Sequence, residues 1–332
     1  MPRLDDLLVE SSRTFAVGIG LLPEPLRQEI TVAYLLLRVS DHIEDTTTLE
    51  DREKITLLQL WARTLADLDP SDRGTFANTE IAGHLREAGG GTPDSLVARD
   101  TSAVLGGLAA LEPVAREIVA RRVCESTLGM ARWVERGSDF GDEDDLDDYM
   151  HQVAGRVGLL LTELFAVRLS GVARGVSRMM TLGREFGLGL QTVNVIRGLN
   201  EDPGRGWVFV PRSFVPDGVD PGTIFHGSGE APSPAAMAVL DRLATKAEGH
   251  LDAAIAYTKL IPRRHHGARL FCVLPLLFAV RTLALSKANP DVLRQEVKMT
   301  RREVLSITRG AKLLGFSNRW LDWRRRRLAT GA

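Results

Sequence analysis

Asp41, Glu44 and Asp45 close an apolar stretch that starts at Leu35, three carboxylates within five residues. At helical spacing, positions i, i+3 and i+4 share a face, and like charges there repel by about 0.2–0.5 kcal/mol per pair. A second apolar stretch, 186–199, ends the same way on Glu201 and Asp202, and each stretch carries an arginine just ahead of its acids, Arg38 and Arg197. Carboxylates so spaced offer hard oxygens to Mg2+, or to Mn2+ in its place; Mg2+ is held by one or two carboxylates together with waters and phosphate oxygens. Arginine forks grip the same phosphates through paired hydrogen bonds. A lone acidic cluster is ordinarily a solvated helix end. Here the apolar helix, the arginine and the second copy point to two acidic ends opposed inside a helical bundle, around a magnesium diphosphate.

The elements that must position these groups read as helices, over 24–45, 51–69, 76–88, 95–111, 113–136, 144–170, 175–201, 233–261, 266–288 and 290–314. Gly and Pro break the chain at 89–93, 203–206 and 216–233, and alternating β-branched runs are few, so the expected class is all-α. None of the breaks is long enough to part independent domains. The 332 residues therefore read as one domain, with 315–332 a basic tail. A formal net charge of −1 argues against a nucleic-acid partner. Six lysines against thirty-six arginines supply rigid, permanently charged forks suited to phosphate. Cys124 and Cys272 stand alone, outside any CxxC pattern, which fits a reducing cytoplasm. The acidic start MPRLDDLLVE is no signal peptide, and the longest apolar run, 270–280, is short of the roughly 20 residues of a membrane span. Trp320 and Trp323 beside four arginines, 324–327, suit either an anionic membrane surface or a solvated tail. The seven histidines show no metal-ligand pairing.

Four ordered blocks over about 9–315 resemble the squalene/phytoene synthases, head-to-head prenyl transferases. SRTFAVGIGLLPEPLRQEITVAYLLLRVSDHIEDT resembles the family's first signature, with Ser12, Arg13, Phe15, Tyr34, Arg38 and the whole DxxED. YMHQVAGRVGLLLTELF resembles its central helix and includes Tyr149. GLQTVNVIRGLNED followed by RGWVFVP resembles its second acidic helix, keeping Gln191, Asn194, Arg197, Glu201 and Asp202. RLFCVLPLLFAVRTLALSKANPDVLRQEVKM is similar to the squalene-forming branch. The resemblance implies an isoprenoid-synthase helical bundle around a central cavity. It implies two farnesyl diphosphates joined to presqualene diphosphate and then, with NADPH, to squalene. The metal ligands would be Asp41, Glu44, Asp45, Glu201 and Asp202, with Arg38 and Arg197 on phosphate. The alternatives are a non-reductive product (dehydrosqualene, phytoene or hydroxysqualene), a terpene formed from one diphosphate, or a non-catalytic helical partner.

One position departs from the family pattern. The second motif opens with aspartate in the family, and here that position is Gly198. An oxygen ligand is lost, with Asn194 one turn earlier as a substitute, and an aspartate restored at 198 is expected to strengthen Mg2+ binding. For the prenyl tail, Val153, Gly155, Val157, Gly158 and Leu161 set small residues beside aliphatic ones. Close approach at such glycines serves either a ligand or another backbone. Phe15, Leu190 and Gln191 join this pocket by resemblance, with Ser12, Arg13 and Tyr34. The resemblance gives Tyr149 a part in the proton removal that closes the cyclopropane, whereas a buried phenol in general only satisfies a hydrogen bond. No GxGxxG follows a strand, so NADPH would be held otherwise. Asn289 and Lys298 match that site in the branch resembled, although Thr300 stands where an arginine is expected. Asp41→Ala is expected to abolish turnover with helix content unchanged; product analysis and circular dichroism check the two halves of that statement.

Overall fold

The structure is a computed structural model that describes residues 2–66, 83, 93–202, 206–225 and 232–330. Helices dominate, and there is no strand among the described residues. The chain divides into two compact units. The first comprises Met1–Arg136 and Leu159–Ser170, the second Gly137–Gly158 and Gly171–Ala332.

In the first unit, α1 (Pro2–Ser11), α2 (Arg13–Ile19), α3 (Leu26–Asp45), α4 (Asp51–Ala66), α5 (Pro93–Arg99), α6 (Thr101–Ala109) and α7 (Pro113–Arg136) follow in order. Helix α3 is the axis. It packs against α5, α6 and α7, and α4 lies along α7. Its side chains are buried on nearly every face, including Leu26, Ile30, Leu35, Leu36, Val39 and Ile43. Pro113 opens α7 at the one helical position where its missing N–H has no cost. The expected single helix over 95–111 is two, because the chain turns at Asp100 (φ −116°, ψ 37°). The expected helix 76–88 lies outside the described residues. Glu29, 1% exposed, is neutralised by Arg168, whose Nε donates to Oε1 at 2.7 Å.

The second unit holds α8 (Glu143–Met150), a π-helical turn (His151–Gly155), the start of α9 (Arg156–Arg168), α10 (Val176–Gly198), α11 (Pro234–Leu260), α12 (His266–Ser286), α13 (Arg301–Leu314) and α14 (Asn318–Thr330). Asp142 caps α8 by accepting from the N–H groups of Asp144 and Asp145. Ser233 caps α11 by accepting from Ala236, with Pro234 at the first position. The long pair α10 and α11 is the spine of this unit. The helix expected over 144–170 is interrupted by the π turn, whose extra residue changes the face that follows it. The helix expected over 290–314 starts only at Arg301. Asn289 and Pro290 build a short 3-10 turn, and Thr300 with Glu303 forms a capping box that launches α13. The basic tail is not loose. It is α14, docked on α12 through buried Leu321 and Leu328 and tied by Arg325 to Asp252 and Lys259 to Asp322. Helix α12, 21 residues, is long and apolar enough to cross a membrane, but 72% of its apolar window is buried inside the unit, as in a core helix.

Glycine sets the spacing between α10 and the π turn and its continuation. A Cβ on Gly158 would run into the carbonyl oxygen of Gly183 and lie 2.5 Å from its carbon, and one on Gly187 would lie 2.6 Å from the carbonyl carbon of Ala154. Both sites face backbone, which cannot swing aside. Gly158→Ala is therefore expected to force the helices apart and lower stability by about 1–3 kcal/mol, read as a drop in the urea midpoint; an unchanged midpoint contradicts the close packing.

Candidate active site

In the first unit, Tyr34, Arg38, Asp41 and Asp45 recur at steps of four, three and four residues along α3, which puts them on one stripe. Ser12 caps α2, its Oγ accepting from the Phe15 N–H at 3.3 Å, and so holds the Phe15 ring 5.3 Å from that of Tyr34. The side chain of Arg13 is outside the described residues. Burial raises the Tyr34 phenol above its ordinary value, against the pull of Arg38. Arg38 is gripped from both sides. Its Nη1 donates to Asp41 Oδ2 at 2.8 Å, its Nε to Asp94 Oδ1 at 2.7 Å, and its Nη2 to Asp94 Oδ2. Burial works against the guanidinium charge, yet Asp41 and Asp94 outweigh it and hold Arg38 above its usual value. The sequence reading missed Asp94. Its only local signal is an acid behind Pro93 in the first turn of α5.

The acids themselves differ. Burial, with Asp45 and Asp94 nearby, pushes the Asp41 carboxyl up to about 7 despite the opposing pull of Arg38. Glu44 is 4% exposed, its Oε1 meets no hydrogen-bond donor, and burial and then Asp45 and Asp41 hold it well above the carboxylate range. Asp45 is exposed. All three sit in the last turn of α3, where the helix dipole disfavours negative charge by about 0.3–1 kcal/mol per group. Among the described residues no three His, Cys, Asp or Glu side chains are gathered as a ready metal cage. An orphaned buried carboxylate oxygen beside two acids at the negative end of a helix fits a divalent cation.

In the second unit, Gln191, Asn194, Gly198 and Asp202 follow one another along the face of α10 and the turn that ends it. Asn194 is exposed, its amide 3.5 Å from Gln191 Oε1. Glu201 is exposed, and its N–H donates to Gly198 O. Arg197 meets Glu296 Oε1 at 2.5 Å, and Lys298 meets the other oxygen of the same carboxylate at 2.5 Å. Glu296, absent from the sequence reading, thus joins two residues that the reading named separately, and Lys298 and then Arg197 hold it below the usual carboxylate range. Asn289 is committed to capping: its Oδ1 accepts from Asp291 N–H at 3.0 Å and its Nδ2 donates to Leu285 O at 2.9 Å.

Tyr149, 6% exposed, lies in an aromatic cluster with Phe209 (5.1 Å between centroids), Trp207 (5.4 Å) and Phe140 (5.8 Å, edge-on). Trp207 and Phe209 stack at 5.5 Å and 11°. Their two-residue spacing in an extended segment was the signal for a shared face. Val153 and Val157 are half-buried near this end of the unit, as is Leu161 in the first unit. Gly158 meets the backbone of α10.

The helices and these acidic ends define an all-α isoprenoid-synthase fold. The profile of the squalene/phytoene synthase family matches residues 8–303. The chain belongs to that family. It is 30% identical to a squalene synthase of Eremothecium gossypii over 90% of this chain and 65% of the relative. It is 28% identical to that of Schizosaccharomyces pombe, over 92% of this chain and 64% of the relative. The chain therefore spans about two-thirds of the length of these curated relatives. Among solved structures, TcSQS in complex with a ligand superposes with a TM-score of 0.82 at 26% identity, covering 100% of this chain and 92% of that one. A dehydrosqualene synthase shares the fold at a TM-score of 0.65 and 18% identity, over 94% and 95% of the two chains.

A carboxyl whose proton affinity is higher in the folded chain than in the unfolded one opposes folding once it ionises, so stability falls as pH rises through that interval. Metal-free protein is expected to lose thermal stability between about pH 4, where aspartate ionises in the unfolded chain, and about pH 7, where folded Asp41 ionises, and Asp41→Asn to flatten that slope. Added Mg2+ should raise Tm more at the upper end of the window, because the ligands must be deprotonated. A slope indifferent to Asp41→Asn in a thermal-shift series contradicts the assignment.

Proposed function

We propose that the chain is a Mg2+-dependent head-to-head prenyl transferase that joins two farnesyl diphosphates to presqualene diphosphate and reduces that to squalene with NADPH. The observation that carries this reading is the last turn of α3, where Asp41 and Glu44 are desolvated and repelled by exposed Asp45 at the negative helix end, with Arg38 alongside. Bound there, Mg2+ would neutralise the leaving diphosphate and favour its departure. Asp41, Glu44 and Asp45 on α3 are the carboxylates to hold it in the first unit, and Glu201 and Asp202 after α10 are those of a metal site in the second.

The chain's own groups then have separate tasks. Arg38 exchanges one of its carboxylate partners for phosphate oxygen as substrate arrives, and Arg197 does the same from Glu296. Ser12, Phe15 and Tyr34 would line the approach to α3, with Arg13 assigned by resemblance alone. Leu161 in the first unit and Val153, Val157, Gln191 and Asn194 in the second would meet the prenyl chain, whereas Gly158, expected beside them, is closed off by the backbone of Gly183. The faces of Trp207, Phe209 and Tyr149 offer electron density to an allylic cation, worth about 0.5–2 kcal/mol. The Tyr149 hydroxyl, in a mostly apolar cluster, would relay the proton lost as the cyclopropane closes, accepting it while passing its own to the released diphosphate. Asn289 and Lys298 are the residues that would hold NADPH, which when bound would supply a hydride to the second cation. Trp323, 43% exposed with Arg327 over its ring, suits a peripheral contact with an anionic membrane from the cytoplasm, where an oily product is released.

A second reading is favoured by one observation. Asn289 is committed to capping and Lys298 to Glu296, which leaves the reductant side thin and points to a family member that ends by proton loss. Incubation with farnesyl diphosphate and Mg2+, with and without NADPH, followed by product mass, decides between them. Squalene formed only with NADPH is the expected result. A product with two hydrogens fewer, formed irrespective of NADPH, supports the second reading, and no turnover of farnesyl diphosphate rejects both.

A further inference from the structure

Gly198 ends α10, and its backbone does not need glycine: the glycines with positive φ are Gly137, Gly171, Gly206 and Gly218. What position 198 needs is space. A Cβ there would run into Asp202 Oδ2 and lie 2.8 Å from Asp202 Cγ and 3.1 Å from its Oδ1. All three contacts are atoms of one carboxylate. The Asp202 side chain folds back over the preceding turn, as side chains on helical backbone do, and fills the volume that a side chain at 198 would take. Asn194, the substitute named from the sequence, is instead exposed beside Gln191.

We infer that Gly198 is a positioning residue: its missing side chain seats the Asp202 carboxylate one turn back, so that Asp202 stands where the family's first aspartate of this motif would place its own. This rests on the metal-binding reading above and changes its consequence. The first motif keeps Asp41 and Asp45 as two separate carboxylates four residues apart. The second motif replaces that pair with a single carboxylate in the first residue's seat and Glu201 alongside. An aspartate at 198 would then not restore a ligand. Its Cβ would expel Asp202 from the seat, exchanging one oxygen donor for another displaced one.

The test is Mn2+ binding to the full chain, followed by electron paramagnetic resonance with and without farnesyl thiodiphosphate, together with Tm of the metal-free protein. Gly198→Ala adds no charge and improves helix propensity, so Tm should hold or rise while Mn2+ affinity at one site falls about tenfold, a shift equal to about 1.4 kcal/mol at 25 °C. Asp202→Asn should cause a similar loss in the natural background and little further loss on top of G198A, because both remove the same seated carboxylate. Gly198→Asp should bind Mn2+ no more tightly than the natural chain. Equal Mn2+ affinity in G198A, additive losses in the double variant, or tighter binding in G198D would each overturn the inference. Should G198A lower Tm, D202N carries the test alone, and unchanged affinity overturns it. Absence of Mn2+ binding by the natural chain is a different result: it removes the metal-binding reading itself, and the inference with it.

Discussion

Negative charge at the negative end of a helix is the constraint around which the rest is arranged. Asp41, Glu44 and Asp45 occupy the last turn of α3, and Glu201 and Asp202 follow the last turn of α10. In both places the unsatisfied backbone carbonyls already present partial negative charge. For α3 the surroundings make this worse, since the helix is buried on nearly all sides and Glu44 keeps only 4% of its surface exposed. A chain selected for stability alone would put lysine or arginine there. Acids in that position are tolerable only if a proton or a cation offsets them, and preorganised unfavourable electrostatics of this kind are what a site uses to hold a metal against a departing anion.

Each motif arginine is paired with a carboxylate from elsewhere in its own unit, Arg38 with Asp94 and Arg197 with Glu296. The pairing has a local reason. An arginine beside a cation site and without substrate is a charge in need of a partner, and a carboxylate from another element holds its fork in one orientation. Under the proposed function, exchange of that partner for phosphate would keep the number of charge-assisted hydrogen bonds nearly constant. These two carboxylates therefore belong to the functional description as much as the acids of the motifs do.

Glycine acts in two ways here, neither of them through unusual φ. Gly158 and Gly187 let the π turn and its continuation lie against α10 at backbone distance, which holds the two segments in a fixed register, while Gly198 leaves room for a carboxylate. A small-residue pattern in a sequence does not say which. Only the identity of the atoms that a Cβ would meet separates close helix packing, as at Gly158, from a seat for a side chain, as at Gly198.

The sequence by itself determined the class of fold and the placing of the motif acids at the ends of two helices, because both rest on local patterns. Apolar periodicity makes helices, and i, i+3, i+4 acids after an arginine share a face wherever that helix goes. Thr300 with Glu303 is a capping box that the continuous reading of 290–314 passed over, and it marks the start of α13. The π turn at 151–155 and the docking of α14 were not legible, since the first depends on how the central helix meets α10 and the second on Leu321 and Leu328 finding buried places. Only tertiary structure decided which carboxylates hold Arg38 and Arg197, that Asn289 is a cap, that Trp207 and Phe209 surround Tyr149, and that Asp202 sits over Gly198. Contacts among residues far apart in sequence, and the volume left by a missing side chain, exist only after the helices have packed.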